Sequence, residues 1–129
     1  MHMAENGEAL TITPNATLKA YLDLVFEDAG LPVFNSGTLR QGLQRLKNST
    51  PSIIVLDDLH EDGLDSAGFI WRVKRVKRLK HVPTIQIIHN TSERERLTIE
   101  ISGADHIVEL PIKNSRFRKL IAELLSLSR

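Results

Sequence analysis

The chain has 129 residues, 17 of them Lys or Arg and 16 Asp or Glu, and is 41% hydrophobic and 26% charged, an ordinary globular composition that excludes a fibre or a disordered tract and fits one domain. The absence of cysteine excludes disulfides, thiolate catalysis and zinc–cysteine sites. No apolar run approaches the ~18 residues of a membrane helix, and Met1 to Gly7 lacks the basic and then apolar blocks of a signal peptide, so a soluble, cytoplasmic protein with no membrane contact is expected.

Residues 1–8 read as a disordered N-terminal segment or tag remnant, and 9–129 as the folded domain. Leu10 to Thr13 alternates briefly and stops at Pro14 and Asn15. That asparagine can cap a helix from Thr17 to Ala29 with Leu18, Tyr21, Leu22, Val25 and Phe26 on one face. Gly30 is a helix stop, Leu31 to Phe34 a short strand, and Thr38 to Lys47 a helix with Leu39, Leu43 and Leu46 at helical spacing. Pro51 to Asp57 is the most telling run: apolar or small residues between a proline and an aspartate, the pattern of a buried strand delivering one carboxylate to a sheet edge. After a polar loop, the spacing predicts a helix from Asp65 to Arg78 with Phe69, Ile70, Val73 and Val76 inward. Val82 to Ile88 is the fourth strand. Asn90, Thr91 and Ser92 can cap a helix from Glu93 to Ser102, which Gly103 ends. Ala104 to Glu109 is the fifth strand, and Ser115 to Leu127 a last helix with Phe117, Leu120, Ile121, Leu124 and Leu125 inward.

Strict alternation of strands and helices implies a parallel sheet covered on both faces, because right-handed crossovers place the helices there. Reactive groups in such sheets gather at the carboxyl ends of the strands, and Asp57 lies at one. His60 and His89 can approach it on loops, where histidines are usually surface residues, and no metal site is assigned. Asp58 points to the other face from Asp57 and is not expected to complete one with it. No glycine-rich loop follows the first strand, which disfavours a nucleotide site. The stretch from Trp71 to His81 carries Arg72, Lys74, Arg75, Lys77, Arg78 and Lys80 and no acid. It leaves 11 of the 17 basic residues to face all 16 acidic ones elsewhere. This local patch is a solvated face or, at Arg72, Lys74, Arg75 and Arg78, a docking site for an acidic partner; few aromatics accompany it, so nucleic acid is not expected.

The runs from Pro51 to Asp57, from Val82 through Pro83 to Ile85, and from Gly103 to Asp105, with Pro111 after the fifth strand, resemble a response-regulator receiver domain (CheY-like) from about Leu10 to Leu127. The resemblance implies an α/β, flavodoxin-like, doubly wound five-stranded parallel sheet of order 2-1-3-4-5 with five helices, and a cis bond before Pro111. It places Asp57 at the phosphoacceptor position, to which a histidine kinase or small phosphodonor transfers a phosphoryl group with magnesium. The family's helpers are an acidic pair after strand one, a hydroxyl residue, an aromatic and a lysine. This chain has Thr13 and Pro14, Ile88, Ile107 and Leu110 in those places. Thr91 and Lys113 lie three residues beyond the lost hydroxyl and lysine and could substitute only through a local rearrangement. Three clustered carboxylates need a dication and a lysine, whereas one carboxylate at a wet strand end needs neither. The expectation is therefore a pseudo-receiver without catalytic residues or cofactor, in which Asp57 caps loop amides. The alternative is an atypical phosphoacceptor that uses Asp57 and magnesium. Expected partners are signalling proteins such as a histidine kinase or downstream effector, and a second copy through helix four, strand five and helix five, where Arg94, Glu95, Arg118 and Lys119 mix charge. Whether an output domain follows Arg129 stays open.

Overall fold

The computed structural model describes residues 7–127. Within the expected disordered segment, Met1 to Asn6 lie outside the described residues. Glu8, however, is fixed: Arg45 donates to both of its carboxylate oxygens at 2.8 and 2.6 Å, and Ser49 adds a third bond at 3.1 Å. An ion pair thus ties Glu8 to the second helix.

The elements run β1 (Ala9–Ile12), α1 (Ala16–Asp28), β2 (Val33–Ser36), α2 (Leu39–Leu46), β3 (Ile53–Leu56), β4 (His60–Glu61), β5 (Leu64–Asp65), α3 (Ser66–Arg75), β6 (Thr84–Ile88), α4 (Glu93–Ser102), β7 (His106–Glu109) and α5 (Asn114–Leu127). Five strands form one parallel sheet in the order β2-β1-β3-β6-β7. Counted as sheet strands this is 2-1-3-4-5, the expected topology. The small β4/β5 hairpin, in which His60 pairs with Asp65 and Glu61 with Leu64, is an addition to the expected elements; two-residue strands are too short to show a period.

Alternation along the strands builds two cores. Ala9, Ile53, Val55, Ile85, Ile87 and Val108 face α1 and α5, meeting Phe26, Phe117 and Ile121. Leu10, Ile12, Ile54 and Leu56 face the other way, against Leu39 of α2 and Phe69, Ile70 and Val73 of α3. All four residues of β3 are fully buried, as a central parallel strand requires.

The helix ends have local causes. The side chains of Asn15, Thr38 and Asp65 cap α1, α2 and α3 by accepting from backbone N–H groups. At α4, Ser92 and Glu95 form a reciprocal capping box, and Gly103 closes the helix in the left-handed conformation at φ 104°. Several boundaries shift by a residue or more from expectation, and two of the shifts have a plain local cause or consequence. Strand β2 starts at Val33, because Pro32 has no N–H for the ladder. Helix α3 stops at Arg75, so Val76 turns outward at 42% exposure instead of packing inward. The Leu110–Pro111 bond is cis.

The Arg45 hydrogen bonds hold the Glu8 carboxyl below the usual carboxylate range. A group depressed in the folded state stabilises it above the unfolded pKa, about 4.3 for Glu, and that stability is lost as pH falls through the lower folded value. Glu8→Gln is therefore expected to lower Tm at neutral pH, with the gap to the parent closing as thermal unfolding is followed into acid below the ordinary carboxylate range.

Candidate functional site

Asp57 follows directly on β3 at the carboxyl edge of the sheet and is 7% exposed. Its backbone N–H donates to Ile12 O at 2.9 Å, extending the β1–β3 ladder by one residue. Its carbonyl accepts from the buried hydroxyl of Ser66 at 2.9 Å, and the same hydroxyl accepts from Leu59 N–H at 2.7 Å. Ser66 thus pins the loop that leaves β3. Hydrophobic periodicity does not single it out; its place beside the Asp65 helix cap is the one local signal it carries.

Both carboxylate oxygens are engaged. Thr13 donates its hydroxyl to Oδ2 at 2.9 Å, and Asp58 N–H donates to Oδ1 at 2.9 Å. His89 brings Nε2 to 2.9 Å from the same Oδ1. A carboxylate accepts only, so this ring nitrogen carries the proton. Thr13 is itself oriented, since its oxygen accepts from Asn15 N–H at 3.0 Å. The reading of His89 as an unattached surface residue is therefore corrected. It follows the β6 terminus, and the β3–β6 register carries it to the edge where Asp57 stands; strand adjacency is a tertiary fact that local sequence does not contain.

The remaining positions beside Asp57 are apolar or turned away. Pro14 is exposed, Ile88 is buried at 1%, and Ile107 is half-buried. Leu110 packs on the core between the sheet, α1 and α5. The Thr91 hydroxyl donates to His89 O at 3.3 Å, and Lys113 is exposed. The neighbouring acid, Asp58, places its Oδ1 3.7 Å from His60 Nε2. Burial, above all, pushes the Asp58 carboxyl up; His60 and His89 oppose the shift, and Glu95 and Asp57 add to it. Asp58, His60 and Glu95 each place a ligand atom within 4.8 Å of the others.

The basic stretch divides into two groups. Lys74 Nζ bonds Asp105 Oδ2 at 2.7 Å and Val82 O at 3.0 Å, and Arg78 donates to Leu46 O, Ser49 O and Thr50 Oγ1. Those two cations hold loops together. Arg72 and Arg75 stay exposed, with the Arg75 guanidinium 4.1 Å above the ring of Trp71.

No protein-family profile matches the chain. Among solved structures it is similar to the signal receiver domain of a signal transduction histidine kinase from Syntrophus aciditrophicus, with TM-score 0.84, 22% identity and coverage of 93% of this chain and 90% of that one. A receiver domain protein from Methanospirillum hungatei JF-1 gives TM-score 0.83 and 16% identity, covering 95% of each chain. The chain has the receiver fold. The receiver domain of a Pseudomonas aeruginosa PAO1 sensor histidine kinase, which has magnesium coordinated in its active site cleft, superposes with TM-score 0.80 and 15% identity over 93% of this chain and 98% of that one. The curated relative is the KDP operon transcriptional regulatory protein of Escherichia coli K12, 24% identical over 102 residues, 79% of this chain. That match spans 44% of the regulator's length. Among the described residues no helix is long and apolar enough to cross a membrane.

On this receiver fold, Thr13 is the side-chain donor to Asp57 Oδ2. Thr13→Val keeps the shape and removes the hydroxyl from a nearly buried carboxylate. A loss of about 1–3 kcal/mol in unfolding free energy is expected by urea denaturation, with most of it restored by Thr13→Ser.

Proposed function

We propose that this chain is a signal-transduction module of the two-component receiver type that works without phosphorylation, through protein contacts. The observation that carries the reading is the engaged carboxylate of Asp57. Phosphoryl transfer to a carboxylate needs a free oxygen, a dication and a fixed cation to absorb the charge that develops. Here both oxygens are occupied by Thr13, His89 and a backbone N–H. The residues around them also fit magnesium poorly: that ion takes oxygen ligands in octahedral geometry, whereas Thr13 presents its proton and His89 a ring nitrogen. No magnesium step is assigned, and the module is not an enzyme. Asp57 serves instead to bind the ends of β1, β3 and β6 to one another.

One observation favours the second reading, a working phosphoacceptor: the His89 side chain is 46% exposed and has room to swing off Asp57. Incubation with acetyl phosphate, or with beryllium fluoride and magnesium, separates the two. Unchanged intact mass and unchanged amide NMR shifts around Asp57 are expected; an adduct that disappears in Asp57→Asn would overturn the phosphorylation-independent reading.

The contact most favoured by the surface is a second copy of the chain across α4, β7 and α5. Leu97 and Ile101, one turn apart on α4, are 56% and 74% exposed. Around them Arg96 pairs with Glu100 and Glu109, and Lys119 and Glu123 are exposed on α5. An apolar centre with both charge signs at its rim is complementary to itself under a two-fold axis. A histidine kinase or downstream effector of acidic character would meet Arg72 and Arg75 on α3. Sedimentation equilibrium is expected to show a concentration-dependent dimer that Leu97→Glu with Ile101→Glu abolishes without lowering Tm; monomeric parent protein at high concentration would remove the proposal.

A further inference from the structure

We propose that Asp58, His60 and Glu95 form a binding site for a divalent first-row transition-metal ion, separate from Asp57 and its partners. The three residues come from three places: the loop leaving β3, the first residue of β4, and the first turn of α4. One ligand atom from each lies within 4.8 Å of the other two, and the Asp58 Oδ1 to His60 Nε2 separation is already 3.7 Å. Ligands about 2.0–2.2 Å from a tetrahedral ion stand roughly 3.3–3.6 Å apart, so only a small inward movement closes the set.

Two further observations distinguish this group from a chance cluster of surface acids. The Asp58 side chain is only 23% exposed, yet among the described residues no donor hydrogen-bonds to its carboxylate. A carboxylate drawn out of water normally acquires donors or a cation. Asp57, one residue earlier, has three donors. Second, the three residues line a cleft of about 200 Å³ together with Thr98 and Ile99, which leaves space for an ion and its remaining water. Arg94 borders the same cleft but forms no ion pair among the described residues. The His60 imidazole is therefore the basic group that acts on both Asp58 and Glu95.

The donor set also selects the ion. One imidazole nitrogen and two carboxylates suit Zn²⁺ and its first-row neighbours, whereas magnesium and calcium take oxygen ligands and Cu(I) takes sulfur. Two carboxylates neutralise the dication. Glu95 can bind without losing its role at the helix start, because Ser92 engages Oε1 and leaves the second oxygen available. His60, with 67% of its side chain exposed, adjusts freely. A bound ion would fasten the β4/β5 hairpin to the N-terminus of α4, and so bring the loop beside Asp57 under the control of metal.

The test is isothermal titration of zinc chloride into the metal-stripped 129-residue protein, with magnesium chloride titrated in parallel. One zinc ion per chain and no comparable magnesium binding are expected. His60→Ala, at an exposed position where folding is not at risk, and Asp58→Asn should each weaken zinc at least about tenfold. His81→Ala and His106→Ala should leave it unchanged. Amide shifts on zinc addition should centre on residues 58–60 and 92–95. Absence of saturable binding at millimolar zinc, equal binding of magnesium, or full affinity in both His60→Ala and Asp58→Asn would overturn the site. The acetyl phosphate experiment on Asp57 bears on neither outcome.

Discussion

The rest of this molecule depends on one constraint: a parallel sheet whose central strand has no exposed side chain must be covered on both faces. With Ile53 to Leu56 fully buried, α1 and α5 have to cover one side and α2 and α3 the other. Every connection then crosses from the carboxyl edge of one strand to the amino edge of the next. Charged groups are costly on either face, so Asp57 stands where its strand ends and the helix has yet to begin. Asp57, Thr13 and His89 meet there for that reason.

At that edge the Asp57 carboxylate finds its partners within the chain. A single carboxylate with a hydroxyl donor, an amide donor and an imidazole has its hydrogen-bonding demand met. Adding acids after β1 would require a dication, and removing a lysine would then leave that charge unbalanced. This chain has neither an acid nor a lysine at those places: Thr13 follows β1, and Leu110 packs on the core. The unbalanced charge lies one residue further on, where burial and the nearby Glu95 both work against ionisation of Asp58.

Much of the fold is legible in the amino-acid sequence. The bounds of α4 can be read directly because Ser92, Glu95 and Gly103 are local signals whose physics is complete within a few residues. The burial of β3 and the chemical poverty of the positions around Asp57 follow from residue type alone. Other features are not legible there. An inward Val76 and a solvated Lys74 and Arg78 are what one long α3 with a single polar face would give. The helix stops at Arg75 instead, and the two cations reach back to Asp105, Val82 and Leu46 across gaps that no periodicity reveals.

By itself, the sequence determined the alternating α/β order, the two-sided core and the carboxylate at the third strand's end. These follow from hydrophobic period, capping chemistry and side-chain type, all of which are short-range. Only the tertiary structure decided which side chains that carboxylate meets. The contacts of Asp57 with Thr13 and His89 span 44 and 32 residues, and they exist because β1, β3 and β6 lie side by side in register. Strand order is set by packing and crossover handedness, so which polar groups meet at the sheet edge becomes defined only once the chain has folded.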